Sequence, residues 1–152
     1  MMEEGNVTIL VDAKQEYTKQ LINILKNSIY DTVQSIYKNA LKECTENKKK
    51  KKTLLKFQEK LSNIPKWSSQ KIEEEYNFIA ETTKCDWIDD LLTAVFITHT
   101  KILTIVHKGQ QNKKVNLKIP KASHFIHLCY IESAREFWKN PYLFSEKVSQ
   151  YD

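Results

Sequence analysis

Apolar positions recur at three- and four-residue steps over most of this 152-residue chain, a period that predicts helices. The clearest stripe is Tyr17, Leu21, Ile24, Leu25, Ile29, Val33, Ile36, Tyr37, Ala40 and Leu41, which predicts one helix running to about Cys44. Asp12, followed by Gln15 three positions on, reads as the capping pair that starts it. The preceding VTILV, residues 7–11, reads as a short strand or an apolar arm. Leu54, Phe57, Leu61 and Ile64 predict a second helix near residues 53–64, closed by Pro65. Ser68 or Ser69 then caps a helix with Ile72, Tyr76, Ile79 and Thr83 on one face, and Trp67 plugs the corner before it.

The longest apolar run lies between Cys85 and Val106. Ile88, Leu91, Leu92, Val95, Phe96, Ile102, Leu103 and Val106 cover more than half of a helix surface, the pattern of a buried helix rather than a surface one. Asp86 is its expected cap and Gly109 its expected end. Val115, Leu117 and Ile119 alternate with polar residues and give the one good strand signal, for which residues 7–11 are the candidate partner. Ser123 is placed to cap a last helix reaching about Asn140, where Pro141 stops it. The expected fold is therefore mainly α: one domain over residues 1–152, four or five helices around a buried central one, with at most one short two-stranded β element. A lysine-rich loop at about 46–53 and an aromatic tail at 141–152 complete it.

Composition supports that picture. Two glycines and three prolines are too few for the turns of an all-β chain of this length. Forty-one per cent apolar and 28% charged residues are ordinary for a globular core. Three widely spaced cysteines (Cys44, Cys85, Cys129) and no recognisable signal peptide point to a reducing compartment, not a disulfide scaffold. Leu91–Val106 carries His99 and Lys101 and is too short to span a bilayer.

Charge changes the picture more. The formal net charge is +5, and Arg135 is the only arginine. Lysine binds phosphate as a point charge but lacks the bidentate fork of sequence-reading proteins, so a sequence-specific nucleic-acid reader is disfavoured. Five consecutive lysines, Lys48 to Lys52, form either a solvated loop or a polyanion patch that Lys56 extends and Lys42 and Lys60 support.

No set of residues completes a catalytic site. Asp86, Asp89 and Asp90 at a helix start are explained by capping and the helix dipole, and His99 lies roughly 14–20 Å farther along the helix. His124 and His127 share a helix face, but two ligands do not make a zinc site. Cys85 or Cys129 with a histidine lacks any local signature of a nucleophile. Glu132 and Arg135 are spaced for an ion pair. The expectation is no catalytic residue, no metal and no cofactor. Trp138, Tyr142, Leu143 and Phe144 concentrate aromatic and apolar surface at the C-terminal end, the composition of an interface core.

Three segments, LLKFQEKLSNIPKW, CDWIDDLLTAVFITHTKILTIV and KIPKASHFIHLCYIESAREFWKNPYLF, together resemble a family of small proteins of nucleocytoplasmic large DNA viruses. The resemblance extends from Tyr17 to Phe144, and W-I-D-D-L and W-K-N-P-Y-L-F are its most distinctive strings. It implies an origin and a place, the host cytoplasm (viral factory) or the virion, and carries no mechanism. The functional expectation is a non-enzymatic viral interaction protein, a virion or assembly component or an accessory subunit. It would bind a viral or host protein, or a second copy of itself, through Trp138, Tyr142, Leu143 and Phe144, with no membrane involved. The alternative is a nucleic-acid-binding accessory factor in viral transcription, replication or DNA packaging, using Lys48, Lys49, Lys50, Lys51, Lys52 and Lys56.

Overall fold

A computed structural model describes residues 2–107 and 118–142, with side chains from Val7 onward. Among these the chain is mainly α-helical, with no strand: α1 is Met2–Glu46, α2 Thr53–Leu61, α3 Ser69–Thr83, α4 Ile88–Val106 and α5 Ala122–Lys139. Short 3-10 helices at Lys50–Lys52 and Ile64–Lys66 precede and follow α2. The chain divides into two compact units, one of Met1–Leu25 with Phe78–Ala122, the other of Lys26–Asn77 with Ser123–Asp152.

The long stripe on α1 does what its period predicts. Leu21, Leu25, Val33, Tyr37 and Ala40 are buried, the remaining stripe positions are half-buried, and the stripe extends to a buried Cys44. The start of the helix differs from expectation. Residues 7–11 are helical, so they are not a strand, and Asp12 is an exposed mid-helix residue instead of a cap. Val7, Leu10 and Val11 are half-buried while Thr8 and Ile9 are exposed, so the short apolar run continues the helical stripe. A run of that length has no period of its own, and the helix behind it decides. The proposed pairing with residues 115–119 thus lacks its partner strand. Residues 115–117, Gly109, Leu143 and Phe144 lie outside the described residues.

In the first unit, α4 is not the helix buried on most sides that its composition predicts. Ile88, Leu91, Leu92 and Thr98 are buried, yet Ile97 is 42% and Val106 63% exposed. Apolar breadth records what a helix could bury; how much it does bury depends on the neighbours present. Trp87 occupies its N-cap position without a side-chain cap bond, so Asp86 does not cap it, and Asp89 and Asp90 fall in the first turn. His99 is partnered here, its Nδ1 accepting from Lys14 Nζ at 2.9 Å.

The second unit contains the largest fully buried side chains, Tyr130 and Phe57, with Leu61, Ile64 and Ile126. Phe57 meets Tyr37 edge to face, centroids 5.3 Å apart and planes at 87°. Ser68 does cap α3, its Oγ accepting the Lys71 N–H at 3.1 Å, a bond that typically contributes about 1 kcal/mol. Ser123 does not cap α5. It is buried inside the first turn and donates to Glu73 Oε1 at 2.9 Å.

Two helices end without glycine. Lys48 (φ 57°) and Lys84 (φ 53°) both take the left-handed conformation. Lys49 N–H bonds the Cys44 carbonyl at 2.7 Å and Lys48 N–H that of Thr45 at 3.1 Å, and Cys85 and Lys84 repeat the pattern on Ala80 and Glu81. This pair of bonds satisfies last-turn carbonyls, but a residue with a Cβ takes that conformation at a cost of roughly 1–2 kcal/mol. Lys48→Gly or Lys84→Gly removes the cost and adds unfolded-chain entropy, for a net gain of about 0.5–1 kcal/mol. By calorimetry each variant should melt roughly 1–4 °C higher, and a lower midpoint would contradict the strain.

Candidate functional site

The lysine run follows directly from the end of α1. Lys48 and Lys49 close the helix, where its dipole favours cations, and Lys50–Lys52 form a single 3-10 turn into α2. Thr53 locks that turn, its Oγ1 donating to the Lys50 carbonyl at 2.7 Å. All five lysines are exposed. The run is therefore a short, structured connection that holds its charges on the surface.

Between the end of α1 and α2 lies a cleft of about 270 Å³. Glu43, Cys44 and Asn47 line it from α1 and its end, Lys49 and Lys52 from the connection, and Leu55, Lys56 and Glu59 from α2. Its carboxylates are already paired. Lys60 Nζ is 2.8 Å from Glu43, and Lys56 Nζ is 3.8 Å from Glu43 and 3.6 Å from Glu59. The hydrogen bond from Lys60, helped by the charges of Lys60 and Lys56, holds the Glu43 carboxyl below its usual range, and burial opposes part of that shift. A lowered folded pKa contributes stability above the unfolded value and loses it in acid, so this tie between α1 and α2 weakens as pH falls below about 4.5. Lys48 to Lys52 make no ion pair among the described residues.

In sequence Gln58 of α2 and Trp138 near the end of α5 are 80 residues apart. The fold brings the two together. Gln58 Nε2 of α2 donates to the Trp138 carbonyl at 2.8 Å. Leu55 lies one helical turn before Gln58 and is 65% exposed, and Trp138 and Tyr142 are 49% and 51% exposed. Leu55 thus lies bare on the lysine-rimmed cleft, and the backbone of α5 at Trp138 meets α2 one helical turn farther on. Cys44, at the inner side of the cleft, is buried at 7% exposure.

Several other chemistry-bearing residues of this unit are engaged in contacts of their own. His127 Nε2 donates to the Ile64 carbonyl at 2.8 Å, and its ring stacks on Trp67 with centroids 5.7 Å apart. That nitrogen is not free for a metal, and His124 is exposed on the same helix. Among the described residues no three His, Cys, Asp or Glu side chains converge as metal ligands would. Trp67 fills the corner before α3 as its position predicts, touching Tyr130 at 5.2 Å and lying under Lys71 Nζ at 5.5 Å. Burial pushes the Cys129 thiol up, away from the thiolate a nucleophile needs. Glu132 and Arg135 form an exposed pair at 3.0 Å.

The residue that sequence reading overlooked is Tyr130. Its side chain is wholly buried, and its hydroxyl donates to Glu75 Oε2 at 3.3 Å and lies 3.2 Å from Thr32 Oγ1. Glu75 in turn pairs with Lys71 at 2.9 Å. The available signal was the four-residue step Ile126, Tyr130, Ala134, all buried on one face of α5.

The model of a protein family described as "Family of unknown function (DUF5764)" matches residues 7–145, nearly the whole chain. The chain belongs to that family. Comparison with curated proteins and with solved structures finds no match.

Proposed function

We propose that this DUF5764 protein is a non-enzymatic interaction protein that docks a partner protein on the surface shared by α2 and the end of α5. The Gln58–Trp138 hydrogen bond carries the reading, because it brings the end of α5 to the helix that follows the lysine run and bears Leu55. The lysine run has no ion pair among the described residues, and Leu55, Trp138 and Tyr142 are apolar surface left in water. Exposed aromatics within a polar rim are the composition of a binding core. The resemblance of the W-I-D-D-L and W-K-N-P-Y-L-F strings supports placing the protein in a large DNA virus, as a virion or assembly component or an accessory subunit.

Leu55 and Trp138 are exposed, so Leu55→Ser with Trp138→Ala should leave the helical circular dichroism unchanged. Quantitative mass spectrometry of proteins captured from infected cells should then show at least a tenfold loss of the wild type's enriched partners. Enrichment that survives the double substitution would overturn this surface as the docking site.

A second reading, nucleic-acid binding in transcription, replication or packaging, is favoured by the five lysines alone, which form no ion pair among the described residues. Each lysine that neutralises a phosphate adds about 0.7–0.9 to the slope of log affinity against log salt. Replacing Lys49–Lys52 by glutamine should flatten that slope, and an unchanged slope would remove the reading.

A further inference from the structure

The docking surface assigned above has a chemistry that selects its occupant. We propose that it receives an acidic amphipathic segment of a partner protein, with apolar side chains set on Leu55 and Trp138 and carboxylates on Lys49 and Lys52. The proposal rests on the docking reading and names the class of partner.

Charge is the first argument. Glu43 and Glu59 are matched by Lys60 and Lys56, so the positive charge left over on the cleft rim belongs to the connection, Lys49 and Lys52 among it. Spacing is the second. Three residues in a 3-10 turn advance about 6 Å, and an i, i+4 pair of glutamates on a helix is also about 6 Å apart along its axis. The third is Leu55, which lines the same cleft at 65% exposure and gains only from an apolar neighbour.

Other occupants fit less well. A phosphate backbone laid on the lysines offers no apolar group and would leave Leu55, on the same cleft, unsatisfied. A second copy carries the same net charge of +5, and a two-fold contact would set lysine run against lysine run.

Fluorescence anisotropy on the full chain tests this with three labelled probes. They are an 18-residue helical peptide with leucines on one face and glutamates on the other, the same peptide with glutamine for glutamate, and a 20-nucleotide oligo-dT. The acidic peptide should bind at least tenfold more tightly than either other probe. Its affinity should fall at least tenfold in Lys49→Gln/Lys52→Gln and again in Leu55→Ser, variants at exposed positions that keep the fold. Equal binding of the glutamine peptide, lost in Leu55→Ser, would overturn the acidic partner while leaving the docking reading intact. Tighter binding of oligo-dT, or a concentration-dependent dimer in sedimentation that masks the surface, would overturn both. Failure of both peptides, with partner capture still lost in Leu55→Ser/Trp138→Ala, would overturn only the acidic assignment.

Discussion

Replacing Tyr130 with alanine should destabilise the protein by about 3–5 kcal/mol, the usual cost of emptying a buried aromatic site. For a chain of this size that corresponds to a fall of roughly 6–20 °C in the calorimetric midpoint. The ring is wholly buried against Trp67, so its loss opens a cavity beneath the corner that precedes α3. It also strips the buried end of the Thr32–Tyr130–Glu75 chain of its central hydroxyl. Tyr130→Phe separates the two effects. It keeps the volume and loses only the hydroxyl, at about 1–2 kcal/mol, because Thr32 and Glu75 keep polar atoms without that partner. If the alanine variant melts within 2 °C of wild type, the packing described for α5 is wrong.

The same hydroxyl makes a pH signature. Burial raises the Tyr130 phenol well above its usual value; Thr32 opposes part of the rise, and the nearby Glu75 carboxylate adds to it. A group whose folded pKa is raised contributes stability that is complete below the unfolded pKa, about 10, and is lost as pH climbs beyond it. The stability gap between wild type and Tyr130→Phe should therefore shrink between pH 9 and 11.5, measured by urea unfolding. A gap that stays constant over that range would mean the phenol is not held neutral by the fold.

Phe57→Ala should cost a similar amount, about 3–5 kcal/mol. Phe57 has no exposed surface and is the ring by which nine-residue α2 is held, edge to face, on Tyr37 of α1. A helix that short has little stability of its own, so the packing must supply it. The expected result is a lower midpoint together with loss of docking, since Lys52, Leu55, Lys56 and Gln58 are all carried on or beside α2. Leu55→Ser, by contrast, should lose binding at an unchanged midpoint. Phe57→Leu, closer in volume, should cost only about 1–1.5 kcal/mol. A Phe57→Ala protein that melts like wild type would show that α2 is anchored by something other than this ring pair.

How well the fold was legible varied with the length of the pattern. The α1 stripe repeats over many turns, and every position named in it is buried or half-buried. The VTILV segment was misread because a short run is compatible with either period, and its continuity with α1 settled it as helix. Caps were less legible. Ser68 caps as its position predicts, while Ser123 and Asp86 do not, because the burial of Ser123 against Glu73 and the start of α4 at Ile88 depend on packing. The helix ends at Lys48 and Lys84 gave no sequence signal, since glycine, the usual marker, is absent from both.

Of the candidate surface, the parts were legible and their union was not. Residue type and spacing alone determined that the chain is helical, which face of α1 goes inward, that the lysine run is exposed, and that the end of α5 is rich in aromatics. Each of these depends on neighbours within a few turns of the same helix. Only the tertiary structure decided that Gln58 meets Trp138, that Tyr130 joins Ile88 and Leu92 among the most deeply buried side chains, and that Glu43 and Glu59 are paired while the lysine run has no ion-pair partner among the described residues. Those are contacts between segments far apart in the chain, and local periodicity carries no information about which of several apolar faces will find one another.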